Sequence, residues 1–187
     1  MDASTNLTNQ FLIAMPGMLD ENFYQTVTYI CEHNEQGAMG IVVNRPTNLH
    51  LTDILDQLDI TDIDLKSGQE AIYIGGPVQP ERGFVLHGDS QNWDSTLKIT
   101  PEISVTTSKD ILESIAAGKG PKEHLVALGY AGWAGGQLED EISANAWLSG
   151  PADSQIICNT PSNLRWKAAA RILGVDLDLI SGDAGHA

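Results

Sequence analysis

Cys31 stands two residues before His33, a separation of roughly 6.6 Å on one face of a strand. An imidazole so placed can take a thiol proton and leave a nucleophilic thiolate. A plainer reading competes with it. Cys31 alternates with Val27 and Tyr29 as a small buried hydrophobe does, His33 opens a turn-forming run, and Glu32 and Glu35 are the wrong charges to stabilise a thiolate. The second centre is basic. Asn44 and Arg45 end an apolar run, and Arg82 follows the turn that contains Gly75 and Gly76, so two guanidinium groups from distant turns can converge on one carboxylate or phosphate. His87 and Tyr130 are candidates to line the same cleft. Among 25 carboxylates, the alternatives are an ordinary ion pair for each Arg and a turn-fixing amide for Asn44.

Other constellations are weaker. The glycine-rich stretch at 129–136 lies between a strand and a helix, where backbone N–H groups can cradle a phosphate. It matches neither the dinucleotide fingerprint nor the P-loop, and no Lys or Arg occurs between Lys122 and Arg165. Tight backbone packing beside Tyr130 and Trp133 is the alternative, and no cofactor is expected. His33, His50, His87, His124 and His186 show no ligand spacing and CxxC is absent, so no metal site is expected. Ten Lys and Arg face 25 Asp and Glu, a formal net charge of −15, and the one basic cluster, Arg165, Lys167 and Arg171, puts only the last two on one helical face. Direct nucleic-acid binding is therefore disfavoured.

These side chains need a scaffold, and the hydrophobic periodicity supplies one. Residues 11–15, 27–32, 38–43, 71–74, 83–86 and 125–130 read as strands, the second and third joined as a hairpin through a turn at 33–37. Two prolines exclude helix and central strand from 75–80. Helices are expected after Thr52, after Ser108, over 137–145, and from a Thr160 N-cap with Pro161 at N1 to Gly174 at C′. The polar run at 59–70 reads as a surface loop. Hairpins mixed with strand-helix-strand units imply a mixed α/β sheet with three or four helices, in a single domain over 1–187.

With no Lys or Arg before Arg45 and no long apolar run, neither an export signal nor a membrane span is expected. The chain reads as cytoplasmic with both cysteines free.

The words FLIAMP (11–16), GAMG (37–40), NRP (44–46), GGP (75–77), RGFVLH (82–87), LGYAGW (128–133), GQLE (136–139), NAWL (145–148) and GHA (185–187) occur in this order. In them the chain resembles the YqgE/AlgH family over nearly its whole length. The resemblance implies a mixed, bifurcated sheet that includes a small closed barrel and is surrounded by helices. It brings no agreed activity or catalytic residues to carry over, although some members bear a transcriptional-regulator label. The leading expectation is a binding or regulatory module for a small anionic ligand or a protein partner, acting through Asn44, Arg45, Gly75, Gly76, Arg82 and Tyr130. The alternatives are an enzyme using Cys31, with or without His33, or a His87-centred site, and a regulator of transcription, most readily an indirect one.

Overall fold

In the computed structural model, which describes residues 5–88 and 91–180, the first apolar run forms β1 (Gln10–Ala14). The alternating run that follows forms β2 (Val27–Asn34) and returns as β3 (Gly37–Val42). The hairpin is tighter than its composition suggests, with only Glu35 and Gln36 outside the strands. His33 is therefore a strand residue and not part of the turn. Gly37 takes φ +141 as the chain leaves the turn, and its missing Cβ also lets a later strand approach, since a Cβ there would lie 2.1 Å from the carbonyl oxygen of Trp133.

Next come β4 (Pro46–His50), α1 (Leu51–Gln57), α2 (Leu65–Gly68), β5 (Ala71–Ile74) and β6 (Val78–His87). The helix α1 starts at His50, whose N–H donates to Asp53, rather than at Thr52. Pro80 lies within β6, contrary to the exclusion read from the prolines. It is accommodated because the register with the neighbouring strand shifts between Val78 and Gly83, an irregularity in which a missing N–H donor costs little. The remaining elements are β7 (Thr96–Lys98), β8 (Ser104–Thr106), α3 (Lys109–Ala116), β9 (His124–Ala134), α4 (Gln137–Ser143), β10 (Trp147–Pro151), α5 (Ser154–Cys158), a 3-10 turn (Ser162–Leu164), α6 (Arg165–Ile172) and α7 (Leu177–Ile180). The described residues thus form seven α-helices where three or four are expected. The four expected are the four longest; α2, α5 and α7, of four or five residues, are too short to show a helical period.

The strands run β10-β1-β2-β3-β9-β6-β8-β7 and curl into a half-barrel, which is the form the implied barrel takes here. The sheet forks at β9. Residues 131–134 of β9 pair with β3, residues 127–128 pair in parallel with β5, which carries β4 as a branch, and β6 occupies the other edge. The β5–β9 pair is the one parallel ladder among the described residues, so the sheet is mixed, as expected. Apolar side chains fill both faces: Phe11, Tyr29, Ile41 and Phe84 pack with residues of α5, α6 and α7, while Ile72, Val85 and Val126 pack with α1 and α3. Among the described residues no helix is long and apolar enough to cross a membrane. The GHA word at 185–187, with His186, lies outside the described residues.

Candidate functional site

The basic centre read from the sequence separates into two places. At the end of β3, the Asn44 side chain accepts from Val27 N at 2.9 Å and donates to the Gln25 carbonyl at 2.9 Å. Beside it, Arg45 donates to the carbonyls of Glu21 and Tyr24 at 2.7 and 2.8 Å. Desolvation lowers the Arg45 pKa against the opposing pull of Asp20. Both side chains thus hold the 20–25 turn by its main chain.

Gly75 and Gly76 are also structural. Both are buried, and a Cβ on Gly75 would lie 2.3 Å from the Gly129 carbonyl oxygen, one on Gly76 2.1 Å from the Tyr130 carbonyl carbon. The glycines let this turn press against β9, which continues through Gly129 and so presents no phosphate-cradling loop. Arg45 and Arg82 therefore do not converge as expected: among the described residues they have no common partner, and Arg45 does not line the cavity that Arg82 lines.

The thiol-imidazole pair is not formed either. Cys31 is 3% exposed, with its Sγ 3.9 Å from the Tyr29 carbonyl, and burial, reinforced by the charge of Glu32, pushes the thiol up to about 12. His33 is engaged at both nitrogens. Its Nδ1 accepts the Leu7 N–H at 3.0 Å and its Nε2 meets Glu139 Oε1 at 2.7 Å. Because Leu7 can only donate, the ring proton sits on Nε2 and is directed at Glu139. A bond from its own main-chain N–H at the start of α4, together with this His33 contact, holds Glu139 below the usual carboxylate range despite some desolvation. His87 is buried in β6, its Nε2 2.7 Å from Thr106 Oγ1 and its ring edge-on to Trp93 at 5.0 Å, and it does not line the cleft with Arg82.

Arg82 and Tyr130 do come together. They line a cavity of about 930 Å³ between the β2–β3 hairpin, β6, the 94–97 segment and β9. The Arg82 guanidinium lies 5.3 Å from the Phe84 ring centroid, and Phe84 in turn meets Tyr130 edge-on at 5.6 Å. Its one hydrogen bond is a long one, 3.4 Å, to Gln79 Oε1, and no carboxylate pairs with it among the described residues. Among the described residues it is the only cation lining the cavity; Glu32 and Asp94 line the same space. Phe84 and Tyr130 form the cavity's aromatic wall, whereas the Trp133 ring lies on the opposite face of β9, packed with Phe23 and Trp147 and donating from Nε1 to Glu141 at 2.7 Å. Phe84 escapes the sequence reading, yet its signal is present: two residues after Arg82 on a strand, it shares that residue's face. Among the described residues, no three His, Cys, Asp or Glu side chains cluster as a metal site does.

Comparison with known proteins adds the following. A family profile, DUF179, AlgH-like, matches residues 11–178. A UPF0301 protein of Thioalkalivibrio sulfidiphilus is 59% identical over 187 residues, 100% of both chains. One from Saccharophagus degradans is 57% identical over 182 residues, 97% of this chain and 89% of that relative. The solution structure of the AlgH protein from Pseudomonas aeruginosa superposes with a TM-score of 0.81 at 52% identity, covering 100% of this chain and 99% of that one. A crystal structure of a Corynebacterium diphtheriae protein matches at TM-score 0.76 and 22% identity, over 98% and 95% of the two chains, a likeness of fold alone.

Proposed function

This chain belongs to the AlgH-like family, and from the cavity that its fold builds we propose that it is a binding module for a small amphipathic anion. The flat apolar part of the ligand lies against Phe84 and Tyr130, and its anionic group meets Arg82. One observation carries this reading: in a chain of 25 carboxylates, Arg82 has no carboxylate partner among the described residues, and its donors are left over at the wall of the largest cavity described. The overall charge of −15 repels anions at long range, so recognition has to be local, through contact with the guanidinium. Thiol chemistry at Cys31 finds no support, since the group is buried, protonated and far from activation. His87 lies outside this cavity.

The test uses 8-anilinonaphthalene-1-sulfonate, an aromatic anion of suitable size, with neutral N-phenyl-1-naphthylamine beside it. The sulfonate probe is expected to bind at one site, with Arg82→Ala weakening it about tenfold or more, as loss of a charge-assisted hydrogen bond does. The neutral probe should be indifferent to that change, whereas Tyr130→Ala should weaken both. Equal sulfonate affinity in wild type and Arg82→Ala would sink the proposal.

A further inference from the structure

A second cavity, of about 280 Å³, lies between β5, the first residues of β9, the end of α5 and the start of α6. Its lining includes Arg165, a cation only 5% exposed. Arg165 donates from Nε to the Thr160 carbonyl at 2.8 Å and from Nη1 to the Val43 carbonyl, and its guanidinium lies 5.2 Å from the centroid of Tyr73. No carboxylate pairs with it among the described residues, and its Nη2 bonds to none of them. A buried guanidinium with no carboxylate in direct contact, held by carbonyl dipoles and a ring face, is costly.

The other charged groups of the cavity sharpen the reading. His124 Nδ1 is 2.8 Å from the Pro121 carbonyl and its Nε2 is 2.5 Å from Glu70 Oε2. Both ring nitrogens face acceptors, which favours the doubly protonated ring: burial acts to lower its pKa, but the bond and charge of Glu70 and the Pro121 carbonyl raise it. Such a ring has no lone pair with which to take a proton from Cys158, the thiol lining the same space. Burial first, and then the charge of Glu123, push that thiol up to about 11 against the opposing pull of Arg165. The cavity therefore lacks an activated nucleophile and is built to bind. Glu70 is engaged by His124, and Glu123 accepts from Asn159 at 3.2 Å. Among the described residues, Arg165 and the exposed Lys122 form no ion pair.

From this geometry we infer that the cavity is a separate site for a compact oxoanion, a carboxylate or phosphate group gripped by the free edge of the Arg165 fork with Lys122 at the rim. It does not depend on the Arg82 cavity, with which it shares no lining residue.

Cys158 provides a reporter inside the site. The full chain is alkylated with iodoacetamide in mildly alkaline buffer at constant ionic strength, with inorganic phosphate in one series and oxalate in another, and the two cysteine peptides are followed by mass spectrometry. At ten times its half-effect concentration, a bound probe should slow alkylation of Cys158 about tenfold by mass action, leaving Cys31 unchanged. Protection by phosphate alone assigns a phosphate ligand, and protection by oxalate alone a carboxylate. Lys122→Ala should raise the half-effect concentration several-fold, and Arg165→Lys should abolish protection. Should Arg165→Lys fail to fold, because it also holds two main-chain carbonyls, the exposed Lys122→Ala decides alone. Arg82→Ala should leave protection intact, which separates failure here from failure at the larger cavity. The inference is overturned if neither anion protects Cys158, or if Lys122→Ala is protected as well as the wild type.

Discussion

The Asn44–Arg45 corner and the Arg82 wall offer the same chemistry at the level of sequence, a polar or cationic side chain beside a turn, and the fold treats them in opposite ways. At the corner, three carbonyls and one N–H of the main chain take up the side-chain hydrogen bonds: Gln25, Glu21, Tyr24 and Val27. At the wall, Arg82 has a stack on Phe84 and one long contact to Gln79. The corner is committed to holding a loop in place, while the wall keeps donors that a ligand can use. Whether a cation belongs to the scaffold or to a site is decided by where its N–H groups go, not by its type or by the turn that delivers it.

The largest effect that can break this distinction is on stability at the corner. Asn44→Ala leaves the buried Val27 N–H without its acceptor and should cost about 2–3 kcal/mol, lowering Tm by roughly 5–10 °C. Arg45→Ala releases two carbonyls that water can partly reach and should cost about 1–2 kcal/mol. Calorimetry or urea denaturation checks both. Sulfonate-probe affinity should be unmoved in either variant, and a collapse of binding without loss of stability would return the corner to the site.

A smaller effect sharpens the same rule at His124, whose ring nitrogens are both engaged, like the groups of the corner. Burial acts to lower its pKa, but the hydrogen bond and charge of Glu70 and the Pro121 carbonyl outweigh burial and raise it. The folded chain thus holds this proton more tightly than the unfolded chain. The resulting stability is complete below about pH 6.5 and is lost as pH rises through the raised folded value. Wild type should therefore lose more stability than His124→Gln between about pH 6 and about pH 9, the other histidines being common to both. Parallel losses in the two proteins would show that Glu70 does not hold the charged ring.

The strands were legible because period-two alternation and apolar runs report burial directly, and Val27, Tyr29 and Cys31 sit in the core as their spacing implies. The four longer helices were legible through capping and stop signals, such as Gly174 at φ +73 after α6. The fork at β9 was not. Pairing partners are set by contacts far apart in sequence: Gly129 reads as part of a cradle, and Gly75 and Gly76 as a turn beside a ligand, until their missing Cβ atoms are seen to make room for each other's backbone. The cavities were half legible. Arg82 and Tyr130 carry a signal in the sequence and line one cavity, but Arg165 reads there only as a member of a basic cluster with Lys167 and Arg171. Nothing local distinguishes an Arg that donates to Val43, 122 residues away, from one in solvent.

The smallest expected effect is the most discriminating. If Arg45 and Arg82 faced one hollow, replacing both would be non-additive, because each would change the field and the ligand geometry felt by the other. Among the described residues they have no common partner, and Arg45 does not line the cavity that Arg82 lines. The cycle of wild type, Arg45→Ala, Arg82→Ala and the double variant should therefore close to within about 0.5 kcal/mol in sulfonate-probe affinity and in folding free energy alike. Arg82→Ala alone should change folding free energy by no more than about 0.5 kcal/mol, as exposed substitutions usually do. A coupling well beyond that bound in affinity would mean that the two guanidinium groups sense a common ligand. A coupling in stability alone would mean that the 20–25 turn extends its influence to the β6 irregularity that carries Arg82.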